Sequence, residues 1–134
     1  MSDKPKDAAP AVNPRRGEIW EADLSPTVGS ELQKSRPVIV INRPKTGRPT
    51  MRLCVPLTDW KADAALFNWC VTMSDTPASG LRKLSLADTS QIRALDIRRF
   101  AARLGKADPI EVEAIAAALA RISGYVSDDE PGTP

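Results

Sequence analysis

The sequence predicts a mainly β chain, a small curled sheet or partly open barrel carrying one C-terminal helix. Three observations support this. Between Arg16 and Leu104 the apolar residues fall in short runs, alternating or β-branched, with turn formers between them. One of those runs, Val38 to Ile41, is continuously β-branched, as in a strand buried on both faces. Only after Asp108 does the apolar spacing become helical.

Residues 1–14 contain Pro5, Pro10 and Pro14 without periodicity and are expected to be a disordered arm. One domain is expected over residues 15–124. In its first strand, Gly17 to Leu24, Trp20, Ala22 and Leu24 share one phase while Glu21 and Asp23 share the other. Ser25 to Ser35 is polar, is broken by Pro26 and Gly29, and reads as a long loop. Pro37 pushes Arg36 towards extended backbone, so a cation stands where that loop enters the buried strand.

Asn42 to Pro49, N-R-P-K-T-G-R-P, is dense in turn formers and cations and should connect two strands. Met51 to Leu57 is the third strand, and Pro56 argues for an edge, a bulge or its end. Asp59 to Ala65 is a second loop, followed by a strand over Leu66 to Met73 and a turn at Ser74 to Gly80. Leu81 to Leu86 and Thr89 to Leu95 are two further short strands, and Ile97 to Leu104 fits a short helix or a strand equally. Asp108 is a good N-cap, Pro109 suits the first helical position and Glu111 completes a capping-box pattern. Val112, Ile115, Leu119 and Ile122 recur at helical spacing until Gly124. Residues 125–134 are expected to be a disordered acidic tail.

Composition narrows the chemistry. With 134 residues, 42% hydrophobic, the chain has material for one domain with a modest core. No apolar run approaches the ~20 residues of a membrane span, and the start lacks a signal-peptide core, so no membrane association and a cytoplasmic location are expected. Cys54 and Cys70 are far apart, without a C-x-x-C pair, and read as packing thiols rather than metal ligands. There is no histidine. That removes histidine-based triads, zincin sites and two-histidine acid–base catalysis, leaving Arg, Lys, Ser, Thr, Tyr, carboxylates or a metal. Net charge is +2, the first fourteen residues are neutral and the tail after Gly124 holds −3, so the body between them carries +5. A basic body suits a nucleic-acid partner and equally suits plain solvated cations.

Three segments together are specific: R-G-E-I-W through D-L-S-P, G-S-E and R-P-V (Arg16 to Asn42), M-R-L-C-V-P-L-T (Met51 to Thr58) and S-Q-I-R-A-L-D (Ser90 to Asp96). In that order and spacing they resemble the MazF/PemK family of toxin endoribonucleases, over roughly Arg16 to Ser123. The resemblance implies an SH3-like small β-barrel with a C-terminal helix, usually a homodimer. It also implies metal-independent, sequence-specific cleavage of single-stranded RNA without a cofactor, and an antitoxin partner with an acidic extended segment. Residue by residue, it places catalysis on Arg36, in S-R-P-V, and Thr58, in C-V-P-L-T. RNA binding falls on Ser30 and Glu31 of G-S-E and on Gln91 and Arg93 of Q-I-R. The chain differs in having Leu84-Ser85 where the family commonly has Asp-Ser, with Asp88 nearer Gln91.

That pair makes chemical sense. In RNA self-cleavage the nucleophile is the substrate's own 2′-OH, so the enzyme aligns it, neutralises phosphorane charge and helps a proton reach the leaving 5′-oxygen. An arginine supplies bidentate donors, and a general-base role for it contends with a guanidinium that stays protonated far above neutrality. Trp20, Phe67 and Trp69 are candidate base-stacking rings or core residues. Two alternatives stay open: a non-enzymatic toxin of the same fold that poisons DNA gyrase, and a catalytically inactive RNA-binding scaffold. The gyrase poisons use a C-terminal tryptophan motif, whereas this chain has no Trp after Trp69.

Overall fold

The computed structural model describes residues 12–32 and 34–125. Seven strands form one antiparallel sheet: β1 Glu18–Asp23, β2 Ser35–Val40, β3 Met51–Asp59, β4 Cys70–Met73, β5 Ser85–Asp88, β6 Arg93–Asp96 and β7 Phe100–Lys106. Among the described residues one α-helix, α1 (Pro109–Ile122), follows. The order across the sheet is β4-β5-β3-β2-β1-β7, with β6 paired to β3 as well. The expected barrel is therefore not closed by strand pairing, since β4 and β7 end the path. The expected arm and tail fall mostly outside the described residues. Val12 to Pro14 are described and lie against the body, where Arg52 donates to the Pro14 carbonyl and the Asn13 side chain.

Alternation along the central strands builds two apolar layers, one on each face of the sheet. Ile19, Ile39, Ile41, Val55 and Leu57 face one layer with Met73, Ala87, Val112 and Ile115 of α1. Trp20, Ala22, Leu24, Val38, Val40 and Cys54 face the other with Leu95 and Phe100. Val38 to Ile41 is thus buried on both faces, as its β-branched run predicts. Trp20 packs edge-on against Phe100, ring centroids 5.8 Å apart, and is a core residue.

Two prolines mark where the ladders stop. Ile41 N–H donates to Leu53 O, so odd-numbered β2 residues turn their backbone groups towards β3. Pro37 has no N–H to offer in that direction, and the β2–β3 register ends at Val38↔Pro56. β2 continues alongside β1 through Glu21↔Pro37, Ala22↔Arg36 and Asp23↔Ser35. Pro56 is neither an edge nor an end, because β3 runs on to Asp59. Its missing N–H points to the opposite edge of β3, in the gap between the β6 partners of residues 51–54 and the β5 partners of residues 57–59.

Other boundaries differ from the sequence expectation for local reasons. Leu66 to Met73 contributes only Cys70–Met73 as strand, since Asp63 caps a short 3-10 turn over Ala64–Leu66. Thr89–Gln91 is another such turn, capped by Asp88, and Ile97–Arg99 is a third, capped by Asp96. The ambiguous segment after Ile97 becomes strand from Phe100. In α1 the Asp108 cap accepts from Ile110 N–H at 2.8 Å. Glu111 does not complete a capping box and instead accepts from Ser74 N–H at 2.9 Å, tying the helix to the turn after β4. The buried stripe is Val112, Ile115 and Ala118, while Ile122 is 44% exposed. Gly124, at φ +85°, ends the helix with Tyr125 N–H returned to Ala120 O and its own N–H to Arg121 O.

The seam between the two ends of the sheet is bridged by backbone contact instead of a strand pair. Lys106 N–H donates to Ala78 O at 2.8 Å, laying the Ser74–Gly80 turn against β7. Two glycines permit that approach. A Cβ on Gly80, at φ +71°, would lie 1.9 Å from Leu104 O, and one on Gly105 would lie 2.2 Å from Ala78 O. Gly47 has φ +82° but nothing within 4 Å of an added Cβ. Gly80→Ala is therefore expected to destabilise the fold by more than about 2 kcal/mol, combining strain with backbone overlap. Gly47→Ala should cost about 1 kcal/mol, the conformational term alone. Urea denaturation of the two variants checks the difference, and equal losses would contradict the close-contact account.

Candidate active site

Beyond Val38↔Pro56 the strands β2 and β3 no longer share a ladder, and a cavity of about 360 Å³ lies there. Two residues further along each strand stand Arg36 and Thr58, both half-buried and both lining it. Even spacing keeps each on the same face as its last paired residue. Pro37 and Leu57 line the cavity too, and Gly80, Leu81 and Leu104 bring in the seam with β7. The structure thus brings the two sequence-predicted catalytic residues together, at a gap that Pro37 opens.

Arg82 and Lys83, elsewhere on the rim, were not singled out by sequence. Arg82 and Lys83 follow the Gly80 turn and line the same cavity, as do Glu21 and Asp59. Lys83 Nζ lies 2.9 Å from Asp59, an exposed pair. Its hydrogen bond and charge hold the Asp59 carboxyl below its usual pKa, with Arg36 and Lys61 acting in the same direction. Asp59 is accordingly held in its anionic form. Glu21 accepts from the Ser35 hydroxyl at 2.8 Å, across the β1–β2 pair. The sequence signal for the two added cations was weak, because Gly80 to Ser85 reads as a turn running into a poor strand.

Three of the four predicted RNA-binding residues gather at a second cavity, of about 310 Å³, on the other side of Pro56. Glu31, Gln91 and Arg93 line it, with Leu32, Ser90 and Ile92. Ser30 is exposed on the loop and lines neither cavity. Gln91 Oε1 accepts from Leu32 N–H at 3.2 Å, and Arg93 Nη1 donates to Leu24 O at 3.0 Å, so these two side chains tie the β1–β2 loop to β6. Arg99 adds a bond to Asp23 O at 3.1 Å and another to Ser25 O. Glu31 accepts from Val28 N–H at 2.7 Å, closing a turn within its own loop and lining a different cavity from Arg36. Asp88, displaced relative to the family pattern, accepts from Ser90 N–H and Oγ at 3.0 and 2.6 Å. That cap fixes the turn from which Gln91 projects.

Phe67 and Trp69 stack at 4.5 Å between centroids and 7° between planes, with Phe67 47% exposed. No three His, Cys, Asp or Glu side chains come together among the described residues. Among the described residues no helix is long and apolar enough to cross a membrane.

Residues 15–123 match the family model of the PemK-like, MazF-like toxins of type II toxin–antitoxin systems. The chain belongs to that family. Among curated relatives, it is 32% identical over 111 residues to the endoribonuclease MazF9 of Mycobacterium tuberculosis, covering 78% of this chain and 92% of the relative. It is 33% identical over 92 residues to the endoribonuclease PemK of Escherichia coli, covering 68% of this chain and 65% of PemK. Among solved structures, MazF from Deinococcus radiodurans superposes with a TM-score of 0.70 at 21% identity, covering 86% of this chain and 99% of that one. An endoribonuclease in complex with its cognate antitoxin, from a mycobacterial species, gives 0.66 at 19% identity, with the same coverage. These structures share the fold: a mainly antiparallel sheet with one C-terminal helix.

Cys54 is a buried packing thiol, and Cys70 is half-buried. Burial pushes Cys54 up to about 12, against the lowering by Arg52 and Arg93. Burial, then the Asp88 carboxylate, pushes Cys70 to about 11. Raised values mean less thiolate at any pH below them, so at pH 8 both should alkylate far more slowly in the folded protein than in urea. Timed iodoacetamide labelling with mass spectrometry reads this, and equal rates in the two states would count against it.

Proposed function

We propose that the chain is a sequence-specific, metal-independent endoribonuclease acting on single-stranded RNA, the toxin of a type II toxin–antitoxin pair. The convergence of Arg36 and Thr58 on one cation-rimmed cavity, in a family whose curated relatives are endoribonucleases, carries this reading over a gyrase poison or an inactive scaffold. The guanidinium of Arg36 grips the non-bridging oxygens of the scissile phosphate and takes up charge as the phosphorane forms. Thr58 Oγ donates to the phosphate or the leaving 5′-oxygen. Lys83 and Arg82 raise the positive potential at the mouth. The substrate's 2′-OH attacks in line, leaving a 2′,3′-cyclic phosphate and a 5′-OH. Glu31, Gln91 and Arg93 contact the neighbouring nucleotides, with the Gln91 amide nitrogen and the further Arg93 donors meeting base edges or phosphates.

Arg36→Ala and Thr58→Ala should each lower the cleavage rate by about 10²–10³ with folding retained. Arg36→Lys should recover only part, since an ammonium lacks the planar fork. Single-turnover rates on an RNA of mapped cleavage site measure this, and near-wild-type cutting by either alanine variant would refute the assignment. Replacing the 2′-OH at the cleaved nucleotide by hydrogen should stop cleavage yet permit binding, while EDTA should change nothing. End-mapping of the products tests the nucleophile directly: a 3′-OH end, or loss of activity in EDTA, would point to an activated water instead.

The partner reading follows from charge. An antitoxin presenting an acidic, extended segment would compete with RNA for the cationic groove, more weakly as salt rises. The working form is a homodimer. Trp20 and the β2 run are buried within one chain and leave no surface for that contact. Apolar surface remains instead at the β3–β6 edge, where Leu53 is 38% exposed. Sedimentation equilibrium at micromolar concentration should give twice the chain mass, and an active monomer would refute it.

A further inference from the structure

A second cationic cavity lies away from the cleavage pocket. It measures about 620 Å³ and sits between the N-terminal segment and the β2–β3 loop, with Arg15, Arg16, Lys45, Arg48 and Arg52 in its lining. No carboxylate lines it, and none of the ion pairs among the described residues involves any of the five. Like charges gathered in this way repel, and an anion bound among them relieves the repulsion.

The cavity is also built. Arg52 donates from Nε to Pro14 O at 2.7 Å, from Nη1 to Pro49 O and Met51 O at 2.8 and 2.9 Å, and from Nη2 to Asn13 Oδ1 at 3.0 Å. Arg16 donates to Ile41 O. These bonds clamp the N-terminal segment to the loop using neutral acceptors, so both guanidinium charges stay uncompensated. The loop itself is tightly turned: Lys45 sits at φ +63°, and Thr46 returns both its N–H and its hydroxyl to Arg43 O. The Lys45 and Arg48 side chains take part in no hydrogen bond among the described residues and project their charge from a fixed base.

Position selects the ligand. Arg52 and Thr58 are six residues apart on β3, an even number, so they share a face and stand roughly 20 Å apart along the strand. A small anion would meet one site at a time, whereas a single-stranded polyphosphate can span both. We infer that this cavity binds phosphates of the RNA backbone several nucleotides away from the cleaved bond, extending the footprint beyond the Arg36–Thr58 pocket. The inference rests on the endoribonuclease reading and adds to it a second, sequence-independent contact region.

The experiment compares the wild type with Lys45→Asn/Arg48→Gln, Asn being chosen because it tolerates positive φ. The single variant Arg48→Gln runs in parallel, and circular dichroism and melting confirm the fold. Each protein is given a short oligonucleotide centred on the mapped cut and longer ones extended on the 5′ or the 3′ side. Cleavage uses all-ribose RNA, and binding uses copies with deoxyribose at the cut. Extension on one side should tighten wild-type binding by about tenfold, and the double variant should lose that gain. Two lost phosphate contacts should flatten its log–log salt slope by about 1.4. Cleavage of the short oligonucleotide should stay within about twofold of wild type. A wild type that cuts RNA but gains nothing from extension, or a variant that keeps the gain and the slope, overturns the inference alone. So does a variant impaired only in binding an acidic antitoxin peptide. A wild type that neither cuts nor binds RNA overturns the endoribonuclease reading with it.

Discussion

The N–H that Pro37 lacks is the constraint on which the site depends. A sheet strand with every donor present would go on pairing, and β2 and β3 would zip together as far as Thr58. The missing donor faces β3 just where the register ends at Val38↔Pro56. The strands part there while β2 stays paired to β1. A gap flanked by two rigid strands is a place where polar side chains can stand half-buried in fixed directions without desolvating a backbone ladder. Pro56 makes the matching break on the opposite edge of β3, so both prolines fall where no donor is required. Their shared location gives one strand two cavities, one on each side of the second proline.

β3 is consequently the reference line of the molecule. Its odd residues Val55 and Leu57 are buried in the layer beneath α1, each contributing roughly 1.5–3 kcal/mol by burial. Its even residues Arg52, Cys54, Pro56 and Thr58 share the other face. A one-residue slip would exchange the faces of Leu57 and Thr58 and turn the threonine into the layer beneath α1, so that apolar layer enforces the orientation of the polar site. The loops are held in the same economical way. Gln91, Arg93 and Arg99 meet backbone groups of the β1–β2 connection, which ties its stem to β6 and the 3-10 turns on either side of it.

What the sequence made legible was whatever depends on local pattern. The β-branched run of β2, the alternation of β1, the Asp108 cap and the Gly124 stop all read directly, because period and capping chemistry are short-range. Arg36 and Thr58 were legible through motif resemblance, and their meeting in one cavity was not, since it depends on where two prolines fall in a register. Lys83 and Arg82 escaped notice because their place on the cavity rim comes from the turn at Gly80 packing on Leu104, a contact between residues far apart in sequence. Glu111 looked like a capping-box residue, and a non-local partner, Ser74 N–H, competed successfully for it. The short 3-10 turns were missed for a similar reason: each is set by one aspartate accepting a nearby N–H, against segments whose composition reads as strand.

The absence of histidine has a consequence for electrostatics over and above catalysis. The side chains whose ionisation the fold displaces are all displaced away from neutrality. Asp23, Asp59 and Asp96 are held low by hydrogen bonds and nearby cations, while Cys54 and Cys70 are driven high by burial. With no imidazole anywhere in the sequence, the side chain that most readily changes charge near neutrality is absent. None of these displaced groups is moved to where a cell's pH would switch it. The attraction of the basic body for a polyanion is then governed by ionic strength and by competing acidic ligands.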